Sequence, residues 1–233
     1  MNSEMYQQTY CVAEATTLER AAFIRRTYGH LAGAILAFVA LEFVLFRVGV
    51  PEIMIQLLAK SRYSWLIVLG SFMAVSWLAE TWANSNTSTG VQYVGLALYV
   101  VAQAIIFVPL LFITAVYSSP DVIPMAALIT LLLFAGITFT AFTTRQDFSF
   151  MGGILKIGGF VALGVIVASI LFGFNLGLLF SSIMVLFAGG CILYTTSNII
   201  HKYNPNQHVA AALSLFASIA LMFWYLLRIL NRR

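Results

Sequence analysis

Few side chains in this 233-residue sequence could do chemistry, and most of them stand inside apolar runs. Residues 189–203 read GGCILYTTSNIIHKY, which brings three consecutive hydroxyls, Thr195, Thr196 and Ser197, to the end of one such run. Hydroxyls at membrane depth can bond across a helix interface or back to the carbonyl four residues earlier. Thr196, Ser197 and Asn198 are expected to satisfy the last polar groups of a helix as it emerges. Glu42 could bind a proton or a cation, or reach an interface and pair with Arg47 five residues on. Glu80 lies one turn from the end of its run, near Asn84. Gln103 stands centrally in another run, where a bond between helices outweighs ligand binding; Pro109 then interrupts the backbone ladder. His30, His201 and His208 fall at run edges, where solvated imidazoles outweigh metal ligands.

Catalytic patterns are missing from the sequence. No HExxH pair, Gly-rich phosphate loop or nucleophile motif occurs. No pair of intramembrane carboxylates offers aspartyl-protease chemistry. A non-enzymatic protein without metal or cofactor is the expectation.

The elements that must position these groups follow from composition. With 61% hydrophobic and 9% charged residues, and a mean hydropathy of +0.96, too few polar groups remain to cover an aqueous surface. Crossing about 30 Å of hydrocarbon takes roughly 20 residues of helix. Seven runs qualify: Leu31 to Val48, Ser64 to Ala83, Val91 to Val116, Val122 to Thr143, Ile154 to Gly173, Leu176 to Leu193 and Val209 to Leu230. Between the fifth and sixth, Gly173-Phe174-Asn175 suits a short turn better than one helix of about 40 residues. The fold class is therefore an all-α integral membrane protein of seven transmembrane helices. Residues 1–27 form a polar N-terminal tail, expected in water and without a signal-peptide pattern, and residues 28–233 form the membrane domain. Ala210, Ser214 and Ser218 make a small-residue ladder on the seventh span, which places that span inside the bundle; Gly158 and Ala162 do the same for the fifth.

The net charge of +4 comes from 12 basic residues scattered at span ends, which argues for interface anchors in a lipid bilayer and against a nucleic-acid partner. Arg228, Arg232 and Arg233 beside Trp224 and Tyr225 show the pattern, and Tyr63, Trp65 and Trp82 suit the aromatic belts. Basic residues divide equally between the two sides, so orientation rests on the first span, whose flanking Arg20, Arg25 and Arg26 favour a cytoplasmic N-terminus. Cys11 and Cys191 stand at depths too different to pair.

Three stretches resemble the Bax inhibitor-1 family of seven-span proteins, and within it the bacterial YccA-like subgroup: FTTRQDFSFMGGIL at 142–155, CILYTTSNIIHKYNP at 191–205 and AALSLFASIALMFWYLLRIL at 211–230. The segment 107–142 is similar to the family's third and fourth spans, although Val108 stands where Gly usually precedes Pro109. The resemblance implies a bundle with the seventh helix central and the other six around it. It also implies two activities. Many members look like pH-sensitive calcium leak channels with a buried carboxylate pair as sensor. YccA-type members look like modulators of the membrane AAA protease FtsH, which makes an FtsH-type protease complex the expected partner and the bacterial inner membrane the expected location.

Carried over by position, the sensor carboxylates fall on Thr195 and Ser218, so both are replaced by hydroxyls. Two close carboxylates share a proton and respond to pH, whereas hydroxyls do not titrate in that range and bind calcium weakly. Thr195 and Ser218 are expected to face each other across an interhelical contact. Asp147 matches the family's loop carboxylate and is expected to cap the next helix, with Arg145 beside it as a headgroup anchor. Were the chain a cation path instead, Glu42, Gln103 and Thr195 would line it.

Overall fold

The computed structural model describes residues 11–61, 63–85, 88–144 and 146–231. Arg62, Arg145, Arg232 and Arg233 lie outside the described residues, as do residues 1–10. Among the described residues there are eight helices and no strand: α1 (Thr17–Arg47), α2 (Val50–Ala59), α3 (Ser64–Ala83), α4 (Thr89–Tyr117), α5 (Val122–Thr144), α6 (Met151–Phe172), α7 (Gly177–His201) and α8 (His208–Leu230). All except α2 are long and apolar enough to cross a membrane. The expected sixth and seventh spans are thus α7 and α8.

Helix α1 starts earlier than expected because a capping box starts it. Thr16 Oγ1 accepts the Glu19 N–H at 3.3 Å, and the Glu19 carboxylate accepts the Thr16 N–H at 3.0 Å. The segment before it is docked. Val12 is fully buried and its N–H donates to the Tyr203 carbonyl at 2.8 Å. The Arg20 guanidinium donates to the Ile200 carbonyl at 3.2 Å, and Phe23 packs on Tyr203. The stretch expected as a tail in water through residue 27 is therefore folded from Cys11 onward, onto the connection between α7 and α8.

Helix α2 is an element that hydropathy alone does not separate. Gly49 at φ 79° turns the chain out of α1 and Pro51 sets the first turn of a ten-residue helix. At about 15 Å it is too short to span, and it joins the ends of α1 and α3 with Ile53 and Leu57 exposed. Gly173 and Gly177, both at positive φ, bracket the tight turn between α6 and α7.

Helix α8 is the axis of the bundle. In its most apolar stretch 72% of residues are buried, against 50% in α4 and 22% or less in the other five spans. It packs directly on α1, α3, α4, α5 and α7. The expected ring of six is looser on one side: α6 packs mainly on α7, and Ala162 joins Met184 and Tyr225 in a small satellite cluster. Aromatic packing fixes the centre. Phe107 on α4 stacks on Phe223 at 5.6 Å and meets Phe38 and Trp224 edge-on, which ties α1, α4 and α8 together. Helices α3 and α4 approach each other closely: a Cβ on Gly95 would lie 2.6 Å from the Ala79 carbonyl oxygen and the Ala83 nitrogen. Alternating spans leave the N-terminal segment, residues 146–150 and residues 202–207 on one face, and α2, residues 173–176 and Asn231 on the other.

Candidate functional site

A cavity of about 730 Å³ opens between α3, α4, α6, α7 and α8. It runs from Gln103 and Ser218, midway along their helices, to Trp65, Asn175 and Arg228 at the face that carries Asn231. Tyr99 and Cys191 also line it, and among the described residues no carboxylate does. Its walls are therefore mostly apolar with a few placed polar groups, the usual make-up of a small-molecule cavity.

The cavity brings together only some of the sequence candidates. Gln103 is buried with its Oε1 unpartnered, and so bonds no neighbouring helix through that atom. Ser218 is 7% exposed and its hydroxyl donates to the Ser214 carbonyl at 2.9 Å, within its own helix. Thr195 is 6% exposed on α7 but does not line the cavity. Of the two bonds open to this hydroxyl, across the interface or back to the carbonyl four residues earlier, Ser218 makes the second.

Ser197 does something the sequence reading missed. It is fully buried, accepts the Phe148 N–H at 2.9 Å and donates to the Gln146 carbonyl at 3.4 Å. The end of α7 thereby holds the segment after α5 in place. Terminal carbonyls of α7 are met by other groups instead: Asn198 O accepts from the Lys202 and Tyr203 N–H, Ile200 O from the Arg20 guanidinium and Ser197 O from His201 Nδ1. Asp147 does not cap α6. Its Oδ1 accepts the Ser149 N–H at 2.9 Å, closing a turn two residues long, while the first residue before α6 is Phe150 with no side-chain cap. The Ser149 hydroxyl and N–H, with Lys202 and His201 nearby, hold the Asp147 carboxyl below its ordinary range. Arg145 lies outside the described residues.

Glu42 is 7% exposed, and neither carboxylate oxygen has a partner. Arg47 does not reach it: five residues on a helix separate side chains by about 140° around the axis. The guanidinium sits instead over the Phe43 ring, 4.9 Å from its centre. Of Glu42, Gln103 and Thr195, Gln103 alone borders this cavity.

Two polar clusters at the N-terminal face join residues from distant parts of the sequence. Tyr28 faces Thr196 and Thr138, which gathers three buried hydroxyls from α1, α7 and α5. His30 Nδ1–H donates to the Arg26 carbonyl (2.6 Å), its Nε2 meets the Tyr93 hydroxyl (3.0 Å), and its ring lies 5.0 Å from that of His208. His208 is only 7% exposed, so the expectation of a solvated edge imidazole fails there: His30 of α1 packs against it. Cys11 and Cys191 are both free thiols. Among the described residues no three His, Cys, Asp or Glu side chains gather as metal ligands.

A seven-span helical bundle around a buried last helix, with a cavity reaching membrane depth, defines the class. The family model for the inhibitor of apoptosis-promoting Bax1 matches residues 20–233, and the chain belongs to the Bax inhibitor-1 family. An uncharacterised protein of Pseudomonas aeruginosa is 30% identical over 235 residues, covering 98% of this chain and 96% of that one. The modulator of FtsH protease YccA of Escherichia coli is 41% identical over 112 residues, about half of each chain (48% and 51%). Bax inhibitor 1 of Schizosaccharomyces pombe is 24% identical over 233 residues, covering 98% of this chain and 83% of that one.

Proposed function

We propose that the chain is a non-catalytic modulator of an FtsH-type membrane protease in a bacterial inner membrane, with its N-terminal segment on the cytoplasmic face. The observation that carries this reading is the state of the would-be sensor. The Ser218 hydroxyl donates to the Ser214 carbonyl within α8, in a cavity that no carboxylate of the described residues lines. A proton-gated calcium path needs titratable oxygens there. The similarity to a relative named as a modulator of FtsH supports the protease partner.

The test is degradation of a membrane substrate by a reconstituted FtsH-type protease, with and without the full-length chain in the same vesicles. The expected outcome is a several-fold longer substrate lifetime. An unchanged lifetime overturns the proposal. Removing only residues 1–10 preserves the Val12 contact and the Thr16 cap, so retained modulation by that variant would place the partner contact on the folded bundle.

A second reading, a cation leak path, is favoured by the unpartnered Gln103 Oε1 at membrane depth in the cavity wall. Calcium flux into liposomes, at mildly acid and mildly alkaline pH, separates the two. The reading given first expects no flux from the natural sequence and a pH-dependent leak only after the double substitution Thr195→Asp, Ser218→Asp. Robust flux from the natural sequence would establish the second reading.

A further inference from the structure

On the outside of the bundle a groove of about 550 Å³ runs between α1 and α4. Its α1 wall is Gly29, Gly33 and Ala37, one face of the helix at four-residue spacing, and Ala97 stands opposite on α4. Arg25 and Arg26, both exposed, border its end at the N-terminal face. At the same end the bond between His30 and Tyr93 clasps the two helices together.

Small residues four apart in a membrane helix ordinarily admit a neighbouring backbone. Here they admit none from this chain. A Cβ on Gly29 or Gly33 would meet nothing within 4 Å, in contrast to Gly95. These glycines keep a slot open on a surface that faces lipid. From Arg26 to Leu41 the slot is about 22 Å long at 1.5 Å per residue, more than the roughly 15 Å of hydrocarbon in one leaflet.

The arginines choose between possible occupants. A second copy seated symmetrically in the same membrane would set Arg25 and Arg26 at the depth of their own counterparts, like charge against like. A phosphate carried at headgroup depth meets them with opposite charge and suits the guanidinium fork.

We propose that the groove between α1 and α4 binds one anionic phospholipid, its phosphate on Arg25 and Arg26 and one acyl chain along Gly29, Gly33, Ala37 and Ala97. The full-length protein, delipidated in mild detergent, would be titrated with phosphatidylglycerol or with phosphatidylcholine of the same chains, and bound lipid counted by native mass spectrometry. One phosphatidylglycerol is expected to bind about tenfold or more tightly than phosphatidylcholine, as two arginines at an anionic headgroup imply. Arg25→Gln with Arg26→Gln should erase that preference. Gly33→Leu, whose side chain enters the open slot, should remove binding of both lipids. If Gly33→Leu does not fold, Ala97→Leu fills the slot from the other wall and gives the same readout. Lipid binding unchanged by the filled slot, or a preference that survives loss of both arginines, would overturn the proposal. So would a Gly33→Leu variant that keeps its lipid but turns a dimer into a monomer, because the occupant would then be a second copy.

Discussion

Ser197, Asp147 and Glu42 show how differently three polar side chains fare at or near membrane depth. Ser197 serves two backbone groups of another segment, so Ser197→Ala strands a Phe148 N–H. The expected cost is about 1–3 kcal/mol, read as a lower unfolding temperature and faster amide exchange at Phe148. The Asp147 carboxyl is held below its ordinary range by Ser149. Its ionised form is therefore favoured in the folded loop. That contribution is present above the ordinary carboxylate range and is lost as pH falls through the lowered value. Asp147→Asn should flatten the acid limb of a stability–pH profile and leave the neutral region nearly unchanged. Glu42 has both oxygens unpartnered and borders no cavity shared with Gln103. Replacing an unmatched acid at this depth by an apolar side chain removes a burial penalty of the order of 1–3 kcal/mol. Glu42→Leu should then raise the unfolding temperature. A large loss of stability would mean that the carboxylate has a partner in the membrane.

At the scale of elements, helix contacts here depend on where small residues face. Gly95 lets α4 approach the Ala79 carbonyl and the Ala83 nitrogen so closely that even one added carbon must push the helices apart. Gly95→Ala is expected to cost about 1–3 kcal/mol and Gly95→Leu more, whereas Gly33→Ala, in open space, should be near neutral. Comparing the three by thermal unfolding in detergent tests the α3–α4 contact directly, and equal effects at the two sites would contradict it. Sequence alone ranks these glycines together. Only the packing separates a contact from a slot.

For the whole molecule, the N-terminal segment belongs to the bundle. Val12 is fully buried against Tyr203, and the Thr16 cap starts α1. Deleting residues 1–10 should leave the unfolding temperature unchanged, while deletion through Glu19 should lower it by several degrees, because it removes a buried side chain and a capping box together. On the function proposed above, this shortens the chain available to reach a protease partner. A polar stretch of two dozen residues could extend far from the membrane, but the ten residues before Cys11 span at most about 36 Å when fully extended.

Membrane-scale features were legible in the amino-acid order because hydrocarbon enforces them locally. Each span must satisfy its own backbone and be about 20 residues long, so Leu31–Val48 or Val122–Thr143 can be read without knowing any neighbour. The small-residue ladder of Ala210, Ser214 and Ser218 likewise marked α8 as the inner helix. The capping box of Thr16 and Glu19 was there to be read as well, and would have moved the start of α1 to its true place. What remained hidden depends on groups far apart in sequence. The pairing of Ser197 with Gln146 and Phe148, the seat of Val12 on Tyr203, the cover over His208 and the cavity joining Gln103 to Ser218 arise only when helices separated by scores of residues come together. The sequence by itself determined that seven helices cross a membrane with α8 inside and that no carboxylate stands at positions 195 and 218. Tertiary structure alone decided which polar atoms find partners on another element, because such a hydrogen bond depends on distances of a few ångströms that no local spacing specifies.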